Sequence, residues 1–90
     1  MFEKLKRIQE SIKYEQKKLE SREFTACVGD VMIVMQGTKQ VIDVRIQNSK
    51  ILKNLDLLQE SILLSFNNVL QQVDKASRDV ITRASEYLEF

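Results

Sequence analysis

The chain has 90 residues, of which 43% are hydrophobic and 30% are charged, and its formal net charge at pH 7 is +1. A hydrophobic fraction near the average for folded proteins argues against general disorder, and the small net charge neither requires nor excludes a polyanionic partner. Histidine is absent and Cys27 is the one cysteine. An intramolecular disulfide is therefore excluded, and the side chains most used as general bases and zinc ligands are missing. We expect no enzymatic activity, no metal and no other cofactor, and we interpret Cys27 as a small buried hydrophobe.

A chain of this length is expected to form a single domain over residues 1–90. Association would stabilise it, because a domain of this size buries only about 60 to 65% of its unfolded surface. The charged N-terminal residues are not followed by an apolar run, so no signal peptide is predicted. No stretch approaches the ~18 apolar residues of a membrane span. These features predict a cytoplasmic protein without a membrane partner or a small-molecule substrate.

The first predicted element is a helix from Phe2 to about Arg22, a stretch rich in Lys, Glu, Gln and Leu. Its apolar residues recur at helical spacing in one narrow stripe: Leu5, Ile8, Ile12 and Leu19. Glu15 interrupts this stripe where a regular heptad would have another apolar residue. A stripe of this width indicates packing along another helix rather than in a deep core.

A β hairpin is predicted next, preceded by a short strand at Glu23 to Val28, where β-favouring residues are frequent. The strand Val31 to Met35 is apolar at five successive positions and should be covered on both faces, with a partner subunit as the simplest second cover. The strand Gln40 to Ile46 alternates, which predicts one half-buried face carrying its even-numbered apolar residues. Gly37 lies in the connecting loop, where a residue tolerant of positive φ is expected. The methionines of the first of these strands are expected in the core.

A second helix is predicted after a partly packed connection at residues 47–53. Asn54 or Asp56 caps it, and the helix extends to about Leu88. Between Leu55 and Leu70 apolar residues cover most of the helix surface, which predicts burial on several sides. Farther along, the apolar set narrows to a heptad stripe, which predicts a projecting arm.

The order and spacing of these elements resemble the YbaB/EbfC family of bacterial nucleoid-associated proteins along essentially the whole chain. The resemblance rests on Gln9, Gln16 and Leu19 in the first helix, on residues 29–37, on the strand Val41 to Ile46 and on residues 58–69, where Asn67 takes the place of the family's asparagine. It implies an α+β fold of the order α-β-β-β-α, with a small antiparallel three-stranded sheet and two long helices. It also implies a homodimer with projecting helical arms that binds double-stranded DNA with little sequence preference, in nucleoid organisation and gene regulation.

Charge placement indicates which residues would contact DNA. Residues 1–23 carry seven Lys or Arg against five Glu, a local excess of cations. The predicted DNA-binding residues, all on the two helices, are Lys6, Lys13, Lys17, Lys18, Arg22, Lys75, Arg78 and Arg83. The predicted dimer-interface residues, on the apolar strand and the second helix, are Val31, Ile33, Met35, Ile62, Phe66, Val69 and Val73.

Two other interpretations of the same features stay open. The basic residues could simply form a solvated helix surface. The near-neutral charge also suits a dimeric protein-interaction module, an adaptor or chaperone, whose helical arms bind another protein. Nothing in the sequence resembles a helix-turn-helix or a zinc finger, so base-specific recognition is not predicted.

Overall fold

The computed structural model describes the backbone of residues 2–86 and, within that range, the side chains of residues 6, 7 and 9–83. Its elements, in chain order, are α1 (Phe2–Glu20), β1 (Glu23–Val28), β2 (Val31–Gln36), β3 (Val41–Ile46), a 3-10 helix (Ser49–Lys53) and α2 (Leu55–Glu86). This is the predicted α+β fold, with three antiparallel strands between two long helices. The predicted end of the second helix at Leu88 lies outside the described residues.

The three strands form one sheet with β2 in the middle. Phe24 of β1 lies opposite Met35 of β2, and Val31 of β2 lies opposite Ile46 of β3. Residues opposite each other in antiparallel strands share a face of the sheet. Phe24, Met35, Val31 and Ile46 therefore lie on one face of the sheet, and α2 packs on this face, mainly against β1 and β2.

The core lies between α2 and this face of the sheet. Val31 and Met35 of β2 and Val69 and Val73 of α2 have no exposed surface, and Ile33 is 2% exposed. Helix α2 thus provides the main cover of β2 within one chain. The opposite face of β2, which carries Met32 and Val34, is only half-buried. Two small residues of α2, Ser61 and Ser65, are buried where the helix meets the sheet, and Ser65 Oγ donates to Ser61 O at 2.6 Å.

The turn between β2 and β3 uses its glycine differently from the prediction. The residue with positive φ is Lys39, at 70°, and Gly37 is not in the left-handed region. The backbone of Gly37 instead lies close to the end of α1, and a Cβ atom at this position would lie 1.9 Å from Leu19 O. Its N–H donates to Arg22 O at 3.0 Å. Gly37 therefore allows a close backbone approach that no other residue permits.

Three burial predictions are wrong for the single chain. Val44 and Ile46 of β3 are 52% and 43% exposed, because α2 lies over the other two strands. The apolar residues in the first half of α2 include six that are exposed: Leu55, Leu57, Ile62, Leu63, Leu64 and Phe66. Cys27 is also exposed, because it lies on the sheet face that α2 does not cover. In all three cases the prediction assumed that another element would bury these residues, and no element within the protomer does so.

The connection between the sheet and α2 is partly packed, as predicted. Asn48 caps the 3-10 helix through its side-chain oxygen, and Ile51 in that helix is buried. Of the two candidate caps for α2, the structure uses Asn54, whose Oδ1 accepts the Leu57 N–H at 3.1 Å. A side-chain cap of this kind satisfies one of the free N–H groups at a helix start.

Candidate nucleic-acid interface

A groove with a volume of about 610 Å³ lies between α1 and the C-terminal half of α2. It exists because α1 packs along α2, as its narrow apolar stripe predicted. The side chains at its base are apolar and buried or half-buried: Leu19, Phe24, Ala76 and Val80. The groove is thus a cleft between two helices with an apolar base and a charged rim.

The rim carries more positive than negative charge. Its cations are Lys18 in the last turn of α1, Arg22 in the short connection between α1 and β1, and Lys75 and Arg83 of α2. Glu15 and Asp79 are the carboxylates among the residues lining the groove, so the rim has a net charge of +2. All four cationic side chains are exposed. Four of the eight predicted DNA-binding residues therefore line one groove, contributed by α1, the connection that follows it and α2.

Contacts near the end of α1 fix the positions of Arg22 and Lys18 on the rim. The Arg22 guanidinium lies 4.8 Å from the centre of the Phe24 ring, and this cation–π contact favours one position of the charge above the groove base. At the end of α1, Ser21 Oγ donates to Lys18 O at 2.9 Å and the Arg22 N–H donates to Leu19 O at 3.0 Å. Cations in the last turn also complement the negative end of the helix dipole.

The other four predicted DNA-binding residues do not line the groove. At about 100° per residue, Lys6, Lys13 and Lys17 project from the side of α1 opposite the groove. Arg78 lies on α2 outside the groove. All four are exposed. The structure thus separates the predicted residues into a groove set, defined as Lys18, Arg22, Lys75 and Arg83, and an outer set, defined as Lys6, Lys13, Lys17 and Arg78.

Glu15 and Phe24 line the groove but were not among the predicted site residues. Glu15 faces the groove, and the available signal was its interruption of the α1 stripe. Phe24 was assigned only to a strand, and nothing in its local sequence indicates that it would lie beneath Arg22. Contact between them depends on how β1 follows α1, which is tertiary information.

The predicted dimer-interface residues fall into two environments. Five of them are buried in the protomer's own core and leave a partner no surface to contact: Val31, Ile33, Met35, Val69 and Val73. Their assignment to an interface is revised for this reason. Ile62 and Phe66 are 41% and 38% exposed and stay candidates for contact with a partner.

Two flanks of α2 can be distinguished by their contacts. The buried residues of α2 are Ser61, Ser65, Val69 and Val73. They lie four apart, so the residues that directly follow them form one row along the helix. The last residue of this row, Asp74, pairs with Lys39 in the β2–β3 turn at 3.0 Å. Ile62 and Phe66 belong to this row. The residues that directly precede the buried ones form a second row. Its last residue is Gln72, whose Nε2 donates to Thr25 O of β1 at 3.1 Å. Ile62 and Phe66, the exposed apolar row of α2, therefore lie on the β3 side of the helix.

Other kinds of site find no support in the part of the chain that the structure describes. Among the described side chains, those of residues 6, 7 and 9–83, no group of three or more Cys, Asp or Glu is placed to hold a metal ion. No helix within residues 2–86 combines the length and the apolar character that crossing a membrane requires.

Comparison with known proteins agrees with the predicted resemblance. A nucleoid-associated protein of Mycoplasmopsis pulmonis is 26% identical over 81 residues, which are 89% of this chain and 81% of that protein. Nucleoid-associated protein OB0030 of Oceanobacillus iheyensis is 37% identical over 60 residues, 66% of this chain and 58% of its own length. The fold matches the crystal structure of uncharacterized protein HP0035 from Helicobacter pylori with a TM-score of 0.76 at 16% identity, covering 88% of this chain and 86% of that one. Residues 1–88 match the YbaB/EbfC DNA-binding family, and the chain therefore belongs to this family, which is described by DNA binding and not by an enzymatic activity.

Proposed function

We propose that this protein is a cytoplasmic, nucleoid-associated protein that binds double-stranded DNA as a homodimer with little sequence preference. In this role it contributes to nucleoid organisation and gene regulation. Family membership and the names of its relatives support DNA as the partner. The observation that carries the proposal is the groove between α1 and α2, where the four cations of the groove set converge.

The chemistry of the groove set suits phosphate contacts. Exposed Lys and Arg side chains neutralise backbone phosphates and release the counterions condensed on them, which supplies most of the affinity of non-specific binding. Such contacts fix a protein on the duplex but carry no sequence information directly. A site made of these residues should therefore bind duplexes of different sequence with similar affinity.

Support for a homodimer comes from the exposed apolar residues. Val44 and Ile46 of β3 are 52% and 43% exposed, and Ile62 and Phe66 of α2 project on the same side of the sheet. Soluble monomers rarely expose a contiguous apolar patch larger than a few hundred Å². A second copy of the chain would cover this surface and add the stability that a 90-residue chain gains from association.

The test compares two charge reversals of equal size on opposite sides of the structure. Lys18→Glu with Lys75→Glu changes the groove, and Lys13→Glu with Lys17→Glu changes the outer face of α1; each pair changes the protomer charge by the same amount. Fluorescence anisotropy with a labelled duplex, repeated across a salt series, gives the affinity and the salt slope. We expect the groove variant to lose binding and the outer variant to keep most of it.

The salt slope gives the number of phosphates neutralised. Four groove cations would contribute a slope of roughly −3.6 per protomer, at about −0.9 for each phosphate. Loss of binding by the outer variant alone would transfer the contacts to the outer set. Equal affinity of a scrambled duplex tests the absence of sequence preference, and circular dichroism shows that both variants are folded.

A dimeric protein-interaction module is the second candidate, favoured by the exposed apolar row of α2 and by the net charge of +1. The same titration separates the two functions. Non-specific DNA-binding proteins have dissociation constants of about 10⁻⁴ to 10⁻⁶ M at physiological salt. If the wild-type protein binds no duplex in this range, even at ~50 mM salt, DNA binding is refuted and the interaction module is preferred.

A further inference from the structure

Duplex DNA can contact the rim of the groove between α1 and α2, but not its base. Leu19 and Phe24 are almost fully buried there, whereas Ala76 and Val80 are half-buried and leave apolar surface in the cleft. The axes of packed helices are about 8 to 10 Å apart, and the major groove of a duplex alone is about 12 Å wide. A duplex is therefore too wide to enter the cleft, and the apolar base has no role in phosphate binding.

The carboxylates of the rim are a second feature that DNA binding does not explain, because Glu15 and Asp79 repel phosphates. Along α2, the rim residues Lys75, Asp79 and Arg83 are four apart, so charges of alternating sign follow one another at intervals of about 6 Å. Among the side chains that the structure describes, both ion pairs lie outside the groove, so its opposite charges are not paired with each other. Alternating charges are typical of the flanks of a helix that pairs with another helix.

We propose that the groove binds an amphipathic α-helix of another protein, with an apolar stripe over the base and mainly acidic residues on both flanks. In this mode of binding, apolar side chains three and four residues apart on one helix enter a hydrophobic groove. The groove set attracts the acidic flanks, and one basic residue of the partner pairs with Asp79. The distance from Lys75 to Arg83 along α2 is about 12 Å, which corresponds to roughly two turns of the bound helix.

An acidic helix in the groove would occupy the cations that contact DNA. Binding of the helix and binding of DNA should therefore exclude each other, and a protein that carries such a helix would release DNA from the groove set. This competition rests on the proposed function. Binding of the helix depends only on the apolar base and the charges of the rim.

Two synthetic peptides test the charge pattern. Both are three-heptad helices with leucine at positions a and d and glutamate on both flanks, where like charges oppose pairing of the peptide with itself. They differ in one residue midway along one flank, which is lysine in the mixed peptide and glutamate in the acidic peptide. Fluorescence anisotropy of the labelled peptides with the full chain gives both affinities.

We expect the mixed peptide to bind about fivefold more tightly, because its lysine attracts Asp79 and the corresponding glutamate repels it. General attraction to a basic rim would give the opposite order, since the acidic peptide carries more negative charge. Asp79→Lys, at an exposed position, should reverse the order. Tighter binding of the acidic peptide to the wild-type protein, an unchanged order in Asp79→Lys, or no binding of either peptide at about 1 mM would overturn the proposal.

Ala76→Phe tests contact with the apolar base. The added ring fills the cleft and should weaken binding of the mixed peptide about tenfold. Thr82→Phe is the matched control: it adds the same ring at an exposed residue of α2 outside the groove and should leave the affinity for the peptide unchanged. Full affinity of a folded Ala76→Phe variant would overturn the proposal. Circular dichroism checks folding, and if Ala76→Phe does not fold, the order of the two peptides decides.

Competition with a labelled duplex separates the failure of this proposal from the failure of the proposed function. The unlabelled mixed peptide should displace the duplex from the wild-type protein. Binding of the peptide without displacement would overturn the proposal, because the peptide would then lie outside the groove. Binding of the duplex but of neither peptide would overturn helix binding and leave DNA binding intact. Binding of the mixed peptide but of no duplex would support helix binding and refute DNA binding.

Discussion

The close approach of Gly37 to the end of α1 gives the sharpest stability prediction. A Cβ atom at Gly37 would lie 1.9 Å from Leu19 O and 2.6 Å from Leu19 C. Both of these are backbone atoms and cannot be relieved by a rotamer change. Gly37→Ala must therefore separate the β2–β3 turn from the end of α1, which would also break the bond from the Gly37 N–H to Arg22 O.

The expected cost combines two effects. Overpacking a fitted contact costs about 1 to 3 kcal/mol, and a lost backbone hydrogen bond costs about 0.5 to 1.5 kcal/mol. We expect Gly37→Ala to lower the free energy of unfolding by roughly 2 to 4 kcal/mol, a shift of about 2 M or more in the urea midpoint at an m-value near 1 kcal/mol/M. Unfolding is measured at one fixed protein concentration, because a dimer's stability depends on it.

Thr38→Ala is the matched control for this prediction. Thr38 lies in the same turn and is exposed, so its replacement should change stability by less than about 0.5 kcal/mol. The end of α1 also positions Lys18 and Arg22, so Gly37→Ala should weaken DNA binding although no charge changes. Identical urea midpoints for the two variants would refute the close contact and the reasoning based on it.

Two further predictions concern the connection and the exposed row of α2. Ile51→Ala should lower the free energy of unfolding by about 2 to 4 kcal/mol, because Ile51 is buried beneath α2. Leu52→Ala, the control, should be nearly neutral because Leu52 is 51% exposed. Urea titration measures the stability of both variants. Ile62→Asp places a charge on the exposed apolar row and should leave α2 folded by circular dichroism while light scattering reports a monomer. A dimeric mass for this variant would exclude Ile62 from the interface.

Local signals were enough to predict the elements of this fold. Both long helices lack proline and have apolar residues at helical spacing, and the strands stand out by continuous or alternating apolar residues. The bounds of β1 were predicted from composition alone and match the structure. Asn54 was one of two predicted caps for α2, and the choice between them depended on which side chain reached a free N–H.

Burial could not be predicted because it depends on which elements cover which faces. The alternation in β3 predicted a half-buried face, but α2 lies over β1 and β2 and leaves Ile42, Val44 and Ile46 all exposed. The role of Gly37 depends on the distance to α1, which has no local signature. The same holds for Cys27, whose face of the sheet has no covering element in the described part of the chain.

The small net charge of the chain does not weaken the case for DNA binding, because a phosphate responds to charges within about one Debye length, roughly 8 Å at physiological ionic strength. The groove rim carries +2, whereas the whole chain carries +1, so the rest of the protein is slightly negative. Attraction therefore depends on local charge rather than on the net charge of the chain, and for a groove site the affinity depends on how many grooves one assembly presents to a duplex. A homodimer presents two. The monomeric Ile62→Asp variant, with its groove unchanged, should bind DNA with about half the wild-type salt slope. An unchanged slope would mean that only one groove of the dimer contacts a duplex.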